Sequence, residues 1–465
     1  MGIRIAEHKK VSIAFTDDAP LHAPKDAAHA KLLLHTSIKD AFFSLQSQLF
    51  KEGVHRYTIT HFDDAIEIAA DYCIGIGHLG TTGYYVQVEP KLNKQSAAIF
   101  VKSLDEETLE EITTDEPVDL VELDYLKMFL EVMAVPEAAQ HTGGLLQIEW
   151  NEKEINIESK DDQLTPLLVV QFLNILKRIV RKGLRKSYYR ITENLNSRIK
   201  GKILVGQQIK QNVLRNRLTQ TICSYESFGT DSAENRFLKK VLQFAISYIE
   251  NNKAVFQTSY HALEQLIAYC RPAFKLIGDE VEEYALKHLK PNPFFSEYKE
   301  GIRIGQLILK RFAYNFTQTA QQQIATPPFW IDMPRLFELY VYSKMVVDNP
   351  KEKSHIHYQY STYGNALDIL VSYPGFQMVI DAKYKLHYKT GHLHDDIRQV
   401  AGYSRLTKVR KELGVADDRN IDCLIIYPDV NKQDDSFTLN KIKEDREEIQ
   451  AYYKVYKLGV KLPHL

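Results

Sequence analysis

The sequence of 465 residues is poor in cysteine. Its four cysteines, Cys73, Cys223, Cys270 and Cys423, are scattered and none forms a CxxC pair. Neither a disulfide framework nor a cysteine zinc site is suggested, which fits a reducing cytosol. No apolar run approaches the ~18 residues of a membrane span, and the N-terminus lacks a signal-like apolar core. A cytoplasmic protein without membrane association is the expectation. No GxxxxGK[ST] stretch occurs, which argues against nucleotide hydrolysis by this chain. Gly75-Ile76-Gly77-His78-Leu79-Gly80 does match GxGxxG. A dinucleotide site needs a helix to open there, and Thr81-Thr82-Gly83 followed by a strand-like run stands in its place. Glycine turns between strands are the better account. Internal repeats and low-complexity segments are also lacking.

Net charge is nearly absent too, at -1, but the charges are segregated. From Lys177 to Arg217 there are thirteen basic residues against one acid, Glu193, a local balance of +12. From Leu104 to Asp124 ten acids stand without a basic residue. Such polarisation lets a neutral chain present a basic face to phosphates. Solvated helix faces are the plainer reading of both runs; contact of the basic run with DNA or RNA is favoured.

What is present reads as a multidomain α/β protein. Residues 1–162 are β-rich. Val11–Phe15, Tyr84–Val88, Ala97–Val101 and Leu145–Trp150 are strand-like runs, suggesting a small barrel or sandwich. Residues 163–326 read as a helical, basic middle domain, with apolar residues at helical spacing in Leu167–Ile179, Asn235–Ile249 and Glu300–Phe312. Pro272, Pro291 and Pro293 punctuate its connections, and Pro327-Pro328 marks the next boundary. Residues 327–465 then follow a helix, strand, strand, helix, strand order. The helices are Arg335–Val346 and about Asp395 to Leu413. The strands are Leu367–Tyr373, Gln377–Lys383 and Cys423–Tyr427.

The chemistry concentrates in this last region. Asp368 opens one apolar strand, Pro374-Gly375 supplies a turn, and the next apolar strand ends in Asp381-Ala382-Lys383. A hairpin would bring Asp368 beside Asp381. Residues two apart on a strand share a face, so Asp381 and Lys383 point together. Charge among apolar strands is costly unless paired or metal-bound. Phosphodiester hydrolysis needs a polarised phosphate and an activated water, and magnesium held by one or two carboxylates supplies much of both. Asp368, Asp381 and the Ala382 carbonyl are the candidate metal ligands, with manganese as the alternative ion. Lys383 is placed to orient or deprotonate the attacking water. A surface salt bridge at the strand ends is the bland alternative. Glu338, on the preceding helix, is either an outer ligand or a solvated charge. Gln399 and Tyr403 are four apart on the following helix and share a face. Gln399 is a candidate to bond the site or DNA; Tyr403 serves equally as core. His355, His357, His387, His392 and His394 surround the site loosely, without a zinc spacing, and read as surface residues.

At this point a resemblance becomes specific. The last region resembles the PD-(D/E)xK nuclease superfamily, and Gln399-Val400-Ala401-Gly402-Tyr403 resembles the QxxxY motif of its RecB-like branch. More narrowly, the chain resembles the McrC family, nuclease subunits of McrBC-type restriction systems. The carriers are Val88-Glu89-Pro90-Lys91, the run RKGLRKSYYRITENLNSRIKGKI from Arg181, Asn235-Arg236-Phe237-Leu238-Lys239, and Leu336-Phe337-Glu338 leading to Asp381-Ala382-Lys383-Tyr384-Lys385. One departure is visible: the family often has Arg-Pro before the first aspartate, where Ala366-Leu367 stand here. The resemblance implies a catalytic set of Asp368, Asp381 and Lys383. It also implies magnesium-dependent cleavage of double-stranded DNA in a modification-dependent restriction system. The implied partner is an McrB-like AAA+ GTPase hexamer, with the N-terminal half docking into that ring and stimulating GTP hydrolysis. A non-cutting adaptor that activates such a GTPase and a standalone DNA-repair exonuclease are the alternatives.

Overall fold

A computed structural model describes residues 2–7, 9–19, 26–27, 31–51, 54–90, 123–158, 162, 164–256, 260–278, 296–317, 323–362, 365–385, 394–415, 419–429 and 432–463. The chain divides into two compact units. Residues 1–157 together with 325–465 form one, and residues 158–324 form the other. The expected strand Ala97–Val101, nearly all of the acidic run, and Lys91, Pro291, Pro293, His387 and His392 lie outside the described residues.

In the first unit, alternating apolar residues build two N-terminal sheets. One has five strands, in the order Lys31–His35, Lys10–Thr16, Ala65–Ala70, Val54–His61 and Gln48–Lys51. The other has six, in the order Leu146–Ile148, Phe329–Asp332, Cys73–His78, Tyr85–Glu89, Gly2–Ala6 and Asp26–Ala27. Ile3, Ile5, Val86, Val88 and Trp330 from the larger sheet share one core with Val11, Ile13, Tyr57, Ile66 and Ile68 from the smaller. The arrangement is the sandwich of the two options the sequence offers, since neither sheet closes on itself among the described residues.

The glycine-rich match sits in the Cys73–His78 strand and the turn after it, with no helix opening there. These glycines serve close approach of the neighbouring strand. A Cβ on Gly75, whose φ is +148°, would lie 2.1 Å from the Phe329 carbonyl oxygen, and one on Gly77 would meet the Trp330 ring. Only a residue without a side chain fits between those backbones.

The remainder of this unit carries a second six-stranded sheet, in the order Ile356–Thr362, Asn365–Tyr373, Phe376–Ala382, Asp422–Pro428, Val455–Val460 and Glu447–Glu448. The first three strands are antiparallel; Phe376–Ala382, Asp422–Pro428 and Val455–Val460 run parallel. The central strands are buried on both faces, which explains why they read as unbroken apolar runs rather than alternating ones. Helix Met333–Asp348 packs on Phe376–Ala382. On the other face, Ile397, Val400, Val409 and Leu413 join Leu367, Leu370, Val379, Cys423 and Ile425 in one core. The single helix expected over 395–413 is instead two, His394–Ser404 and Thr407–Glu412. Leu406 between them is extended at φ -63°, ψ 126°, and packs against that core.

The second unit is largely helical, with helices Leu164–Lys182, Ala233–Asn251, Tyr260–Cys270 and Ser296–Thr317. The wholly helical reading of this region needs one correction. The basic run folds in part as a three-stranded antiparallel sheet, with Ser187–Asn196 and Lys202–Ile203 both paired to Gln220–Gly229. The aromatic and β-branched residues of Tyr188–Thr192 favour strand, and their charged neighbours had masked that signal. Among the described residues no helix is long and apolar enough to cross a membrane.

Candidate active site

The site is set by a tight hairpin. Pro374 fixes one turn position and Gly375 takes the left-handed one, at φ +85°. The ladder then runs from Tyr373 opposite Phe376 to Ile369 opposite Ile380. Continued by one rung, this register sets Asp368 against Asp381, but the backbone ladder stops there. Instead the Asp368 Oδ2 accepts a hydrogen bond from the Ala382 amide, 2.7 Å away. On the other side the Lys383 amide donates to the Ile426 carbonyl, at 2.8 Å. The strand end is therefore held from both neighbours.

Asp381 is 1 % exposed. Its Oδ2 is ion-paired with the Lys383 Nζ, 2.9 Å away. That ammonium donates to the Gln399 Oε1 at 2.8 Å, and the Gln399 Nε2 donates in turn to the Tyr403 hydroxyl at 2.7 Å. Glu338, on helix Met333–Asp348, accepts from the Tyr358 hydroxyl at 3.3 Å. Glu338 and Asp368 each keep some accessible surface. The structure thus gathers Asp368, Asp381, Ala382, Lys383, Glu338, Gln399 and Tyr403 in one place. It does not gather the described histidines there. His357 contacts the Ser372 hydroxyl nearer the hairpin turn, and His394 contacts Tyr452.

Electrostatics distinguish these groups from ordinary strand-end charges. Burial, then the charges of Glu338 and Asp381, push Asp368 well above the usual carboxylate range. Burial, then Asp332 and Asp381, push Glu338 up to about 7. Burial pulls the Lys383 ammonium down, but the charge and contact of Asp381 outweigh it, and Lys383 ends above its ordinary value. Three carboxyl groups beside one ammonium cannot all ionise without surplus negative charge, which, with burial, is why two of them are raised. That donor set fits a divalent cation. No group of three His, Cys, Asp or Glu side chains is drawn into a ready-made cage among the described residues. Magnesium does not demand one, because it keeps several waters and takes few carboxylates.

Sequence reasoning missed a supporting pair. Asp332 is 2 % exposed, and its Oδ1 accepts from the Arg335 amide at 3.2 Å, capping the helix that carries Glu338. Its other oxygen is ion-paired with Lys51, from the edge strand of the five-stranded sheet. The local signal was legible: an aspartate followed by Met333-Pro334 is a helix-start pattern. The Lys51 partner had no local signal. Lys385 and Asp396, 3.0 Å apart, tie the segment after Lys383 to helix His394–Ser404.

Residues 71–428 match the family described as McrBC 5-methylcytosine restriction system component. That span runs from the Cys73–His78 strand through the whole second unit and the site to Asp422–Pro428. Among solved structures, the chain is similar to one in a refined half-complex from the tetradecameric assembly of Thermococcus gammatolerans McrB AAA+ hexamers with bound McrC. Identity there is 15%, coverage 99% of this chain and 94% of that chain, and the TM-score 0.39. It is also similar to a chain of the Thermococcus gammatolerans McrBC complex, at 14% identity, covering 75% of this chain and 88% of that one, with a TM-score of 0.28. No curated protein matches.

Proposed function

Because this chain belongs to the family of McrBC 5-methylcytosine restriction system components, we propose that it is the subunit of such a system that cuts double-stranded DNA, in a reaction that depends on magnesium or manganese. The observation that carries this reading is the meeting of Asp368, Asp381 and Lys383 at the ends of two paired strands. Asp368 grips the Ala382 amide, and Lys383 lies 2.9 Å from Asp381.

Asp368, Asp381 and the Ala382 carbonyl would hold the ion, with Glu338 behind them. A divalent ion bound there supplies Lewis-acid polarisation of the scissile phosphate. The chain's own groups account for the rest. Lys383 stays protonated at neutral pH, so its Nζ orients the attacking water and offsets charge on the phosphate. Gln399 fixes that ammonium, and Tyr403 fixes Gln399. Glu338, titrating near 7, holds or releases a proton on its carboxylate in the working range. An McrB-like AAA+ GTPase hexamer is the partner implied by the family. The lack of a phosphate-binding loop in this sequence agrees with leaving GTP hydrolysis to that partner.

Reconstitution with the cognate AAA+ GTPase, GTP, magnesium and methylated plasmid DNA tests the reading. The wild-type complex should linearise the plasmid. Asp381→Ala/Lys383→Ala should assemble with the partner and leave the plasmid intact. Cutting retained by that double variant refutes the assignment.

A further inference from the structure

The paired strands Ser187–Asn196 and Gln220–Gly229 carry an aromatic pair in the open. Tyr188 and Phe228 stand directly opposite each other, with ring centroids 5.1 Å apart. They are 72% and 60% exposed. Large aromatic rings left in water on a strand face have an energetic cost that packing elsewhere does not recover. Further along the same face come Arg190, Thr192 and Asn194 on one strand, with Glu226 and Ser224 on the other. The pair is thus bordered by polar side chains rather than by an apolar patch suited to a protein core.

Charge along this hairpin and the segment at its far end is predominantly positive, although Glu226 stands opposite Arg190. Residues 186–229 hold eight cations, Lys186, Arg190, Arg198, Lys200, Lys202, Lys210, Arg215 and Arg217, against two acids, Glu193 and Glu226. Glu193 is engaged by the Tyr225 hydroxyl at 2.7 Å. None of the eight forms an ion pair among the described residues, although Lys200 lies over the Tyr225 ring. Unneutralised cations in this number call for a polyanion.

Exposed rings flanked by Lys186 and Arg190, on a hairpin of net positive charge, match the chemistry of an unpaired nucleic-acid strand. Its bases stack on aromatic side chains while its phosphates meet lysine and arginine. We propose that the Tyr188–Phe228 face is a stacking platform for unpaired bases of a DNA strand, with Lys186 and Arg190 taking the flanking phosphates. The inference deepens the reading of the chain as a DNA-acting component but stands on residues outside the candidate active site.

Fluorescence anisotropy of a labelled single-stranded 20-mer with the full chain, in EDTA, is the test. A blunt duplex of the same sequence serves as comparison. Tyr188→Ala/Phe228→Ala should weaken single-strand binding about 10-fold or more, and duplex binding far less. Tyr188→Trp should retain binding, and its emission should be quenched by the oligonucleotide. Lys186→Gln/Arg190→Gln should flatten the salt dependence by about one unit of slope or more. The proposal is overturned if the wild type binds no oligonucleotide. It is equally overturned if the aromatic double variant binds the single strand as the wild type does, or if polyglutamate displaces the strand as well as unlabelled single strand does. Binding is read without a divalent ion, so these outcomes are independent of whether Asp381 and Lys383 support cleavage.

Discussion

Asp368 reaches across from its own strand to accept the Ala382 amide at 2.7 Å, in the place where a backbone carbonyl would otherwise continue the ladder. A side chain has replaced main chain at the rung where the two aspartates meet. The carboxylate therefore has a structural task besides any chemical one, and the two can be separated. Asp368→Asn keeps an oxygen for the Ala382 amide, whereas Asp368→Ala leaves that amide without one. The alanine variant should be less stable than the asparagine variant by about 1–2 kcal/mol in urea denaturation. Both should fail to cleave DNA. Equal stability of the two would show that the hydrogen bond contributes little.

Metal-free protein should lose stability as pH rises toward neutrality. Burial and nearby negative charge raise the folded-state pKa of Glu338 from 4.5 to about 7. Between those values the folded chain binds a proton that the unfolded chain has released. The contribution is full below about pH 4.5 and is lost as pH rises through 7; Asp368 is shifted in the same direction. Thermal denaturation in EDTA should show a fall in Tm from pH 5.5 to pH 8. Glu338→Gln should narrow that fall, the stability at stake being at most about 3 kcal/mol. An unchanged fall in the variant contradicts the placement of Glu338 among buried negative charges.

Lys51 should matter to a site in which it takes no direct part. It neutralises Asp332, which caps the Glu338 helix. Lys51→Met strands a buried carboxylate and should cost about 1–3 kcal/mol. It should also move the Glu338 titration upward, since Lys51 lowers it in the native protein. Adding Asp332→Asn should recover part of the loss, because asparagine still caps. Additive losses in this double-mutant cycle would deny the coupling.

Lys383 and Gln399 should separate by size of effect. Lys383→Met removes the ammonium and should abolish cleavage. Gln399→Leu only frees it to wander and should lower the rate about 10-fold to 100-fold with the GTPase partner still bound. Full activity of Gln399→Leu would remove it from the site's working parts.

The hairpin was legible because its signals are local: Pro374-Gly375 for the turn, apolar runs for strands buried on both faces, and two-residue spacing for the shared side of Asp381 and Lys383. Glu338 and Gln399 were candidates only, Glu338 equally a solvated charge, until the fold set them near Asp381 and Lys383. What escaped was non-local or overlaid. Nothing near Phe329–Asp332 announces that it pairs with Cys73–His78, far earlier in the chain. The same pairing explains the glycines at 75 and 77, which sequence reading assigned to turns. Lys51 was one lysine among many until folding set it on Asp332. In the basic run, the strand pattern of Tyr188, Arg190 and Thr192 is overlaid by dense charge, which carries no period of its own.

Asp368 and Asp381 are proposed to hold a divalent cation together. Isothermal titration of the metal-free chain with manganese at pH 7.5 addresses it without DNA, GTP or partner. The account predicts saturable binding that Asp381→Asn weakens at least about 10-fold while the variant's melting curve in EDTA stays cooperative. Manganese binding of equal affinity in wild type and Asp381→Asn would contradict it.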